Sequence, residues 1–339
     1  MEDKTKRIWH LLLRIAVTTA MLWLVFSQIN TEQLRRSIGV LRWQFVAIVW
    51  TVGVLAFWIR AVQLHLILKK QDCEVEIIKV FGASSATMLY SLIIPGVLSA
   101  GVKWYILKQH TGKGSNVLCS MVYNQAADAV VKLLLGLVAL AAANPGKQWQ
   151  LPVICVMMTA AIITASVLLL SRRTGAKFSV AFKYLLKPFP RMIRSPAEKI
   201  LEQIKVFQTV GWSFHLEIFG INLAVSLLGV MIYICAAKAA ELTVPAIALA
   251  WQSSAVYILA KLPISVANLG VREYTLIEFL RLYGIEPPAA VLMSMIVFSA
   301  TILMAAIGVG WQIHWAISAR TAKTAKHPSA AQPSPKLDE

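Results

Sequence analysis

Apolar runs long enough to cross a lipid bilayer recur along this chain, separated mostly by short polar links. A transmembrane helix needs about 20 predominantly apolar residues. Runs of roughly that length or longer cover 8–28, 43–68, 117–143, 151–170, 212–237 and 287–317. The pattern predicts an all-α polytopic membrane protein with six full spans. The first run is long for a signal-peptide core and lacks a clear cleavage site, so we interpret it as an uncleaved span.

Two further apolar segments are interrupted by helix-breaking residues. Residues 80–107 are broken at Pro95-Gly96, and residues 246–282 are broken between Pro263 and Gly270. Proline removes a backbone donor and glycine weakens a helix, and each limb is short for a full crossing. We therefore predict two broken re-entrant helical hairpins. The alternative counts each limb as a span, which gives eight or more helices.

The two hairpins suggest a relation between the halves of the chain. With the N-terminus inside, six crossings make the first hairpin enter from the cytoplasm and the second from outside. Broken hairpins in corresponding halves and from opposite faces indicate an inverted-repeat transporter. We expect no residue-level identity between the halves, so the inverted repeat is a topological inference.

Charge then orients the chain. Hydrophobic residues make up 58% of the sequence, and 33 Lys and Arg outweigh 16 Asp and Glu. Basic residues cluster near the N-terminus, after the second run, in 172–205 and near the C-terminus, which by the positive-inside rule predicts cytoplasmic termini. We divide the chain into a membrane domain (1–319), with a basic cytoplasmic connection at 172–210, and a disordered tail (320–339). No zinc or helix-turn-helix pattern supports a nucleic-acid partner.

Ionisable residues at membrane depth are the main candidates for a site, because they are costly to keep there. Arg272 and Glu273 follow the second break. Either the two residues form a buried pair that holds the hairpin while Arg272 binds a lipid phosphate through its planar donor fork, or they form only a structural ion pair or an exposed pair just outside the bilayer. Asp128 and Lys132 stand four residues apart, which places them on one helix face where they can pair. Asn124 lies one turn earlier on that face.

Other candidates are weighed against simpler roles. Lys103 follows the first break and binds an anionic headgroup or extends to the membrane surface, and the same surface role is favoured for Arg60. The breaks either expose helix N-terminal N–H groups to an anion or only end the helices. The remaining candidates from these segments are Lys261, Ser265 and Asn268 for substrate binding and Pro95, Gly96, Pro263 and Gly270 as backbone breaks.

The second break resembles a family motif. Leu262-Pro263-Ile264-Ser265, Leu269-Gly270 and Arg272-Glu273 are similar to LPISxGGLGxRE of the lysylphosphatidylglycerol synthase transmembrane-region family, also called flippase-like membrane proteins. Ala267-Asn268 replaces the usual Gly-Gly pair. The resemblance covers about residues 6–317.

The first break is similar to the same family's upstream PGxxGExxR element. Pro95-Gly96 and a basic residue, Lys103, are present, whereas the usual Arg, Gly and Glu are replaced. In the following helix Asn124-Gln125 replaces an acidic-basic pair and Asp128 remains.

The resemblance implies translocation of a lipid with an anionic headgroup. Two alternatives stay open: a membrane-embedded transferase using Glu273 or Asp128 as a general base, and a non-catalytic partner of a lipid-modifying enzyme. We expect no soluble transferase domain here. The chain has no GxSxG, Walker or HExxH motif and no metal-ligand spacing, so we expect no cofactor or metal. Expected partners are membrane lipids, a separate lipid-modifying or glycosyl-transferring enzyme, and a second copy of the chain.

Overall fold

A computed structural model describes residues 39, 41–92, 96–171, 205–260 and 270–325, and this part of the chain is helical without strands. We number its main helices in chain order. They are α1 (Trp43–Lys69), α2 (Ile77–Ser91), α3 (Gly96–Thr111), α4 (Gly114–Ala143), α5 (Gln150–Leu170), α6 (Trp212–Ala239), α7 (Ala246–Leu259), α8 (Val271–Arg281) and α9 (Pro287–Ala325).

Five of these helices are long and apolar enough to cross a membrane. They are α1, α4 and α6 over their whole lengths, α5 over Gln150–Leu168 and α9 over Pro287–Ser318. The all-α membrane class is thereby confirmed, and five of the six predicted spans have a helix. The first predicted span, the connection from 172 to 204 and the end of the tail lie outside the described residues. So do both hairpin breaks, at 93–95 and 261–269, and the re-entrant form of the hairpins stays a prediction.

Helices α1 and α6 lie side by side and antiparallel. At one end, the backbone N–H of Arg42 donates to the carbonyl of Ala239 at 3.2 Å, and Arg42 Nε lies 2.8 Å from Glu241 Oε1. At the other end, Lys70 Nζ lies 5.4 Å from the centre of the Phe214 ring. The turn that follows α1 and the turn that follows α6 are therefore at opposite ends of the bundle.

The packing of the helices repeats between the two halves. Helix α1 packs against α2, α4 and α9, and α6 packs against α7, α9 and α4. Helix α2 packs against α9 in the same way that α7 packs against α4, and α3 contacts α4 as α8 contacts α9. Exchanging α1–α4 for α6–α9 maps these contacts onto one another. Because α1 and α6 are antiparallel, the two halves form an inverted repeat.

Residue identities follow the same exchange. Trp43, Phe45 and Lys69 of α1 have identical residues 169 positions later in α6. These are Trp212, Phe214 and Lys238. The turns after both helices are alike. Asp72 and Glu241 have φ of 53° and 57°. The N–H of the next residue bonds back to the helix at 3.0 Å in the first turn and 2.8 Å in the second.

The hairpins carry the closest identities. Ser84-Ser85-Ala86 of α2 matches Ser253-Ser254-Ala255 of α7, and 101–107 (GVKWYIL) matches 270–276 (GVREYTL). The expectation of no residue-level identity between the halves was therefore wrong. The matches are short and widely spaced, and they become visible once the helix starts define a common register.

Small residues let the hairpins approach the long helices closely. A Cβ added to Gly136 of α4 would lie 2.7 Å from Ser254 Cβ, and one added to Gly308 of α9 would lie 2.7 Å from the carbonyl carbon of Ser85. Such contacts are typical of helix packing in membranes. They also show that Gly136 corresponds to Gly308, so the register of α4 and α9 is shifted by three positions from that of the preceding helices.

Candidate functional site

Two oppositely charged side chains of α4 are buried within a membrane span. Asp128 and Lys132 are 5% and 7% exposed, and Lys132 Nζ lies 3.8 Å from Asp128 Oδ1, as their spacing predicts. Helix α4 packs here against α1, α6 and α7, which supply the other members of the cluster.

Asp128 has partners on two neighbouring helices. Arg60 Nη1 of α1 lies 3.6 Å from Asp128 Oδ2, and the hydroxyl of Tyr257 on α7 donates to the same oxygen. Gln125 Nε2 donates in turn to the Tyr257 hydroxyl at 2.9 Å. These contacts stabilise a carboxylate that would otherwise be expensive to bury.

Lys132 contacts α6 and α7. Its Nζ donates to Ser226 Oγ at 3.3 Å and lies 4.7 Å from the centre of the Tyr257 ring, a distance suited to a cation–π interaction. Arg60 and Lys132 together carry two formal positive charges beside the one formal negative charge of Asp128. Within the described part of the chain, the formal charges of these three side chains therefore sum to plus one.

A cavity of about 200 Å³ lies beside this cluster. It is bounded by α1, α4, α6 and α7, and both cationic side chains reach its wall. Its lining residues are Arg60, Lys132, Leu135, Ser226, Gly229, Tyr233, Ser253, Ser254, Val256, Tyr257 and Ala260.

Asn124 lies on the same side of α4 and contacts α1. Gln63 Nε2 donates to Asn124 Oδ1 at 2.8 Å, and Gln63 itself is buried. The predicted polar stripe of α4 thus faces into the bundle, where α1 meets it.

The start of α8 is fixed by Glu273. Gly270 precedes the helix with φ of 80°, a conformation that favours glycine, and its N–H donates to Glu273 Oε2 at 2.8 Å. The other carboxylate oxygen accepts a hydrogen bond from Ser294 Oγ of α9 at 3.1 Å. Glu273 therefore joins the helix start to α9.

Arg272 is held by contacts within the protein. Its guanidinium pairs with Glu273, its Nε donates to Ser294 Oγ at 2.9 Å, and its Cζ lies 4.5 Å from the centre of the Phe298 ring. The buried ion pair is common to the functional and the structural interpretations of Arg272 and Glu273. Binding of a lipid phosphate by Arg272 stays a prediction.

The remaining predicted site residues are less defined. Lys103 is half-buried on α3, at the position that corresponds to Arg272 in the repeat, and Gly96 is the first residue of α3. Five of the predicted residues lie outside the described part of the chain: Pro95, Lys261, Pro263, Ser265 and Asn268.

Sequence reasoning missed two members of the cluster, Ser226 and Tyr257. It considered Arg60 but favoured a surface role for it, whereas the structure places Arg60 Nη1 3.6 Å from Asp128 Oδ2. A serine and a tyrosine inside apolar runs carry no distinctive signal, and their partners lie on other helices. The sequence repeat would have helped, because Tyr257 and Ser226 stand where the other half has Met88 and Phe57.

Comparison with known proteins gives one result. A family model described as Lysylphosphatidylglycerol synthase TM region matches residues 11–308. No curated protein and no solved structure matches the chain. The matched region contains the charged cluster, the cavity and the start of α8.

Proposed function

Since this chain belongs to the lysylphosphatidylglycerol synthase TM region family, we propose that it translocates a lipid with an anionic headgroup across the bacterial inner membrane. The process would supply envelope lipid or glycolipid biogenesis. The protein is a multi-pass membrane protein by its helices and its family.

The cationic cluster beside the cavity carries this proposal. Charged side chains are rarely retained at membrane depth unless they serve a transported group or a relay. Arg60 and Lys132 both line the cavity, and one carboxylate does not neutralise them. A phosphate or carboxylate of a lipid headgroup would complete the charge balance there.

Asp128 provides a means of releasing the headgroup. It lies 3.6 Å from Arg60 and 3.8 Å from Lys132, longer than the roughly 2.7–2.9 Å of a close charge-assisted hydrogen bond, so an anion can compete for both cations. A headgroup phosphate would replace part of these contacts, and the carboxylate would regain them as the headgroup leaves. Arg60 supplies a planar donor fork and Lys132 a point charge.

The inverted repeat supplies the movement. In inverted-repeat transporters, the two halves exchange conformations and expose a central site to each face of the membrane in turn. Here α1 belongs to the first half of the repeat and α6 to the second, and the two helices pack against each other. Because the sequence carries no Walker motif, we propose that a lipid or ion gradient drives the movement.

Reconstitution tests the proposal. The full chain is placed in vesicles with acyl-labelled phosphatidylglycerol, phosphatidylethanolamine or phosphatidylcholine, and a membrane-impermeant quencher reports the lipid that reaches the outer leaflet. We expect faster exchange of the anionic lipid than in protein-free vesicles. Lys132→Met should abolish this gain, and Lys238→Met, which removes an exposed lysine from the same bundle, should preserve it.

Two results would contradict the proposal. If each of the three lipids exchanges at the rate seen in protein-free vesicles, the protein does not translocate lipids with these headgroups. If Lys132→Met and the wild type exchange lipid at equal rates, transport does not depend on the charged cluster. Mass spectrometry of the same vesicles detects chemical change of the lipid, which would favour the transferase alternative.

A further inference from the structure

The turns after α1 and α6 have similar backbone conformations, but different side chains surround them. Both follow a lysine-bearing helix end, both contain an acidic residue with positive φ, and both return a backbone N–H to the preceding helix. The fold thus builds the same turn twice, once at each end of the bundle. The second copy shows what this turn needs in order to form.

The first turn opens into a cavity of about 490 Å³ where α1 ends, α2 begins and α3 ends. Most of its lining is ionisable. The lining residues are His65, Lys69, Cys73, Glu74, Val75, Glu76, Lys79 and His110.

The second turn replaces most of these side chains with uncharged ones. His65, Glu74, Glu76, Lys79 and His110 correspond to Ile234, Thr243, Pro245, Ala248 and Phe279. Ile234 packs against the hydrophobic core together with Leu242 and Val244, which correspond to Cys73 and Val75. The turn therefore folds without the ionisable set, and folding alone does not account for that set in the first turn.

The lining side chains provide both cations and hydrogen-bond acceptors. Lys79 Nζ is positioned 3.2 Å from Glu76 Oε1, and Lys69 adds a second ammonium. His65 Nδ1 lies 2.7 Å from the carbonyl of Val75, which can only accept, so Nδ1 is the donor. In the neutral ring Nε2 is then an acceptor, like the Glu74 carboxylate.

We infer that this cavity is a second binding site, which takes a phosphate ester of a polyhydroxy alcohol. The two lysines receive the phosphate. His65 Nε2 and Glu74 accept hydrogen bonds from the hydroxyls. The site lies where α1 ends and shares no lining residue with the cavity beside the Asp128 cluster, and its existence does not depend on lipid translocation. The same chemistry occurs in a soluble polyol phosphate and in a lipid headgroup.

Titration of the purified full chain in detergent with glycerol 3-phosphate tests the inference. We expect saturable binding, tighter than binding of glycerol or of inorganic phosphate. Lys79→Ala and Glu74→Thr, which introduce the residues of the second turn, should each weaken it about ten- to a hundredfold. Lys79→Arg should retain most of the affinity.

A matched ion pair provides the control. Arg281 and Glu278 are also three residues apart on a helix and lie 3.3 Å from one another. Arg281→Ala should leave binding unchanged, and because the titration measures binding and not transport, failure here is distinct from failure of the proposed translocation. Absence of binding by the wild type would overturn the inference. So would unchanged binding by Lys79→Ala, or equal loss in Lys79→Ala and Arg281→Ala.

A competition experiment identifies the source of the phosphate ester. The chain is placed in nanodiscs that contain phosphatidylglycerol or only phosphatidylcholine, and the titration is repeated. If glycerol 3-phosphate binds more weakly in nanodiscs with phosphatidylglycerol, the lipid headgroup competes for the site and is its ligand. If glycerol 3-phosphate binds equally in both kinds of nanodisc, the ligand of the site is a soluble phosphate ester. A thermal midpoint for each variant confirms that the protein stays folded.

Discussion

The interface between α4 and α7 and the interface between α2 and α9 occupy equivalent places in the two halves, yet different side chains fill them. In each interface a glycine of the long helix packs closely against a serine of the shorter helix. The pairs are Gly136 with Ser254 and Gly308 with Ser85. Beside the first contact lie the carboxylate of Asp128 and the ammonium of Lys132. Beside the second, an apolar cluster contains Phe57, Met88 and Met304.

The comparison separates what the fold needs from what the site adds. Lys132, Ser226 and Tyr257 occupy the positions that correspond to Met304, Phe57 and Met88. The apolar version shows that these helices can pack without charge at this depth. Because buried charges contribute little net stability even when they are paired, the charged version is better explained by a function than by folding.

The largest expected effect comes from moving the charge to the other interface. Met304 is 1% exposed within its apolar cluster, so Met304→Lys buries an ammonium without a carboxylate. We expect a loss of about 3–5 kcal/mol of stability, enough to remove most folded protein. Met304→Leu conserves volume and should cost less than about 1.5 kcal/mol. Monodisperse yield on size-exclusion chromatography measures both, and normal yield of Met304→Lys would contradict the comparison.

The glycine contacts should differ in a graded way. A Cβ at position 308 would meet the backbone of Ser85, which cannot rotate away, whereas one at position 136 would meet a side chain. We expect Gly308→Ala to cost about 1–3 kcal/mol and Gly136→Ala to cost less. Thermal unfolding of both variants tests this order.

Gly310 supplies the control for that series, because a Cβ there meets open space among the described residues. Gly310→Ala should be neutral or slightly stabilising, since alanine favours a helix. A larger loss for Gly310→Ala than for Gly308→Ala would contradict the role assigned to the contact with Ser85.

A third comparison concerns Arg272 and its counterpart Lys103. If Arg272 binds phosphate through its fork, Arg272→Lys should lower translocation by about tenfold or more, although the charge is kept. Lys103→Arg should change it little. If Arg272 only pairs with Glu273, Arg272→Lys should be mild and Arg272→Gln should lower the folded yield, with recovery in the Arg272→Gln/Glu273→Gln double variant. Transport rate and yield, measured together, distinguish the two roles.

The smallest effect is one on labelling rather than on stability. Glu74 and Thr243 are exposed counterparts in the two turns, so Glu74→Cys and Thr243→Cys should react with an impermeant maleimide from opposite faces of the membrane. By the positive-inside rule, Glu74→Cys faces the cytoplasm. The native background should be low, because the four cysteines are free and buried and burial raises the pKa of the Cys73 thiol. A raised pKa leaves less reactive thiolate at neutral pH. Labelling of both variants from one face would contradict the inverted repeat.

The candidate site could be predicted in part. The spacing of Asp128 and Lys132 placed them on one face of a helix, and the cost of charge at membrane depth marked that face as important. Arg60 was assigned to the membrane surface because its partner is 68 positions away, and spacing along one helix cannot predict a contact between helices. Arg272 pairs with Glu273 and both side chains contact Ser294 on α9, a contact between helices that spacing along the chain cannot predict, and phosphate binding by Arg272 stays a prediction.

The sequence by itself determined the membrane class, five of the spans and the limbs of two interrupted hairpins. These depend on the length of apolar runs and on proline and glycine, which act locally. The tertiary structure decided that the halves are related residue by residue, that Tyr257 and Arg60 surround Asp128, and that one turn is open and ionisable whereas its counterpart is packed. Such features depend on the register between distant helices. Local hydrophobicity does not fix that register, because lipid and protein interiors are similarly apolar and helix faces are chosen by side-chain fit and paired polar groups.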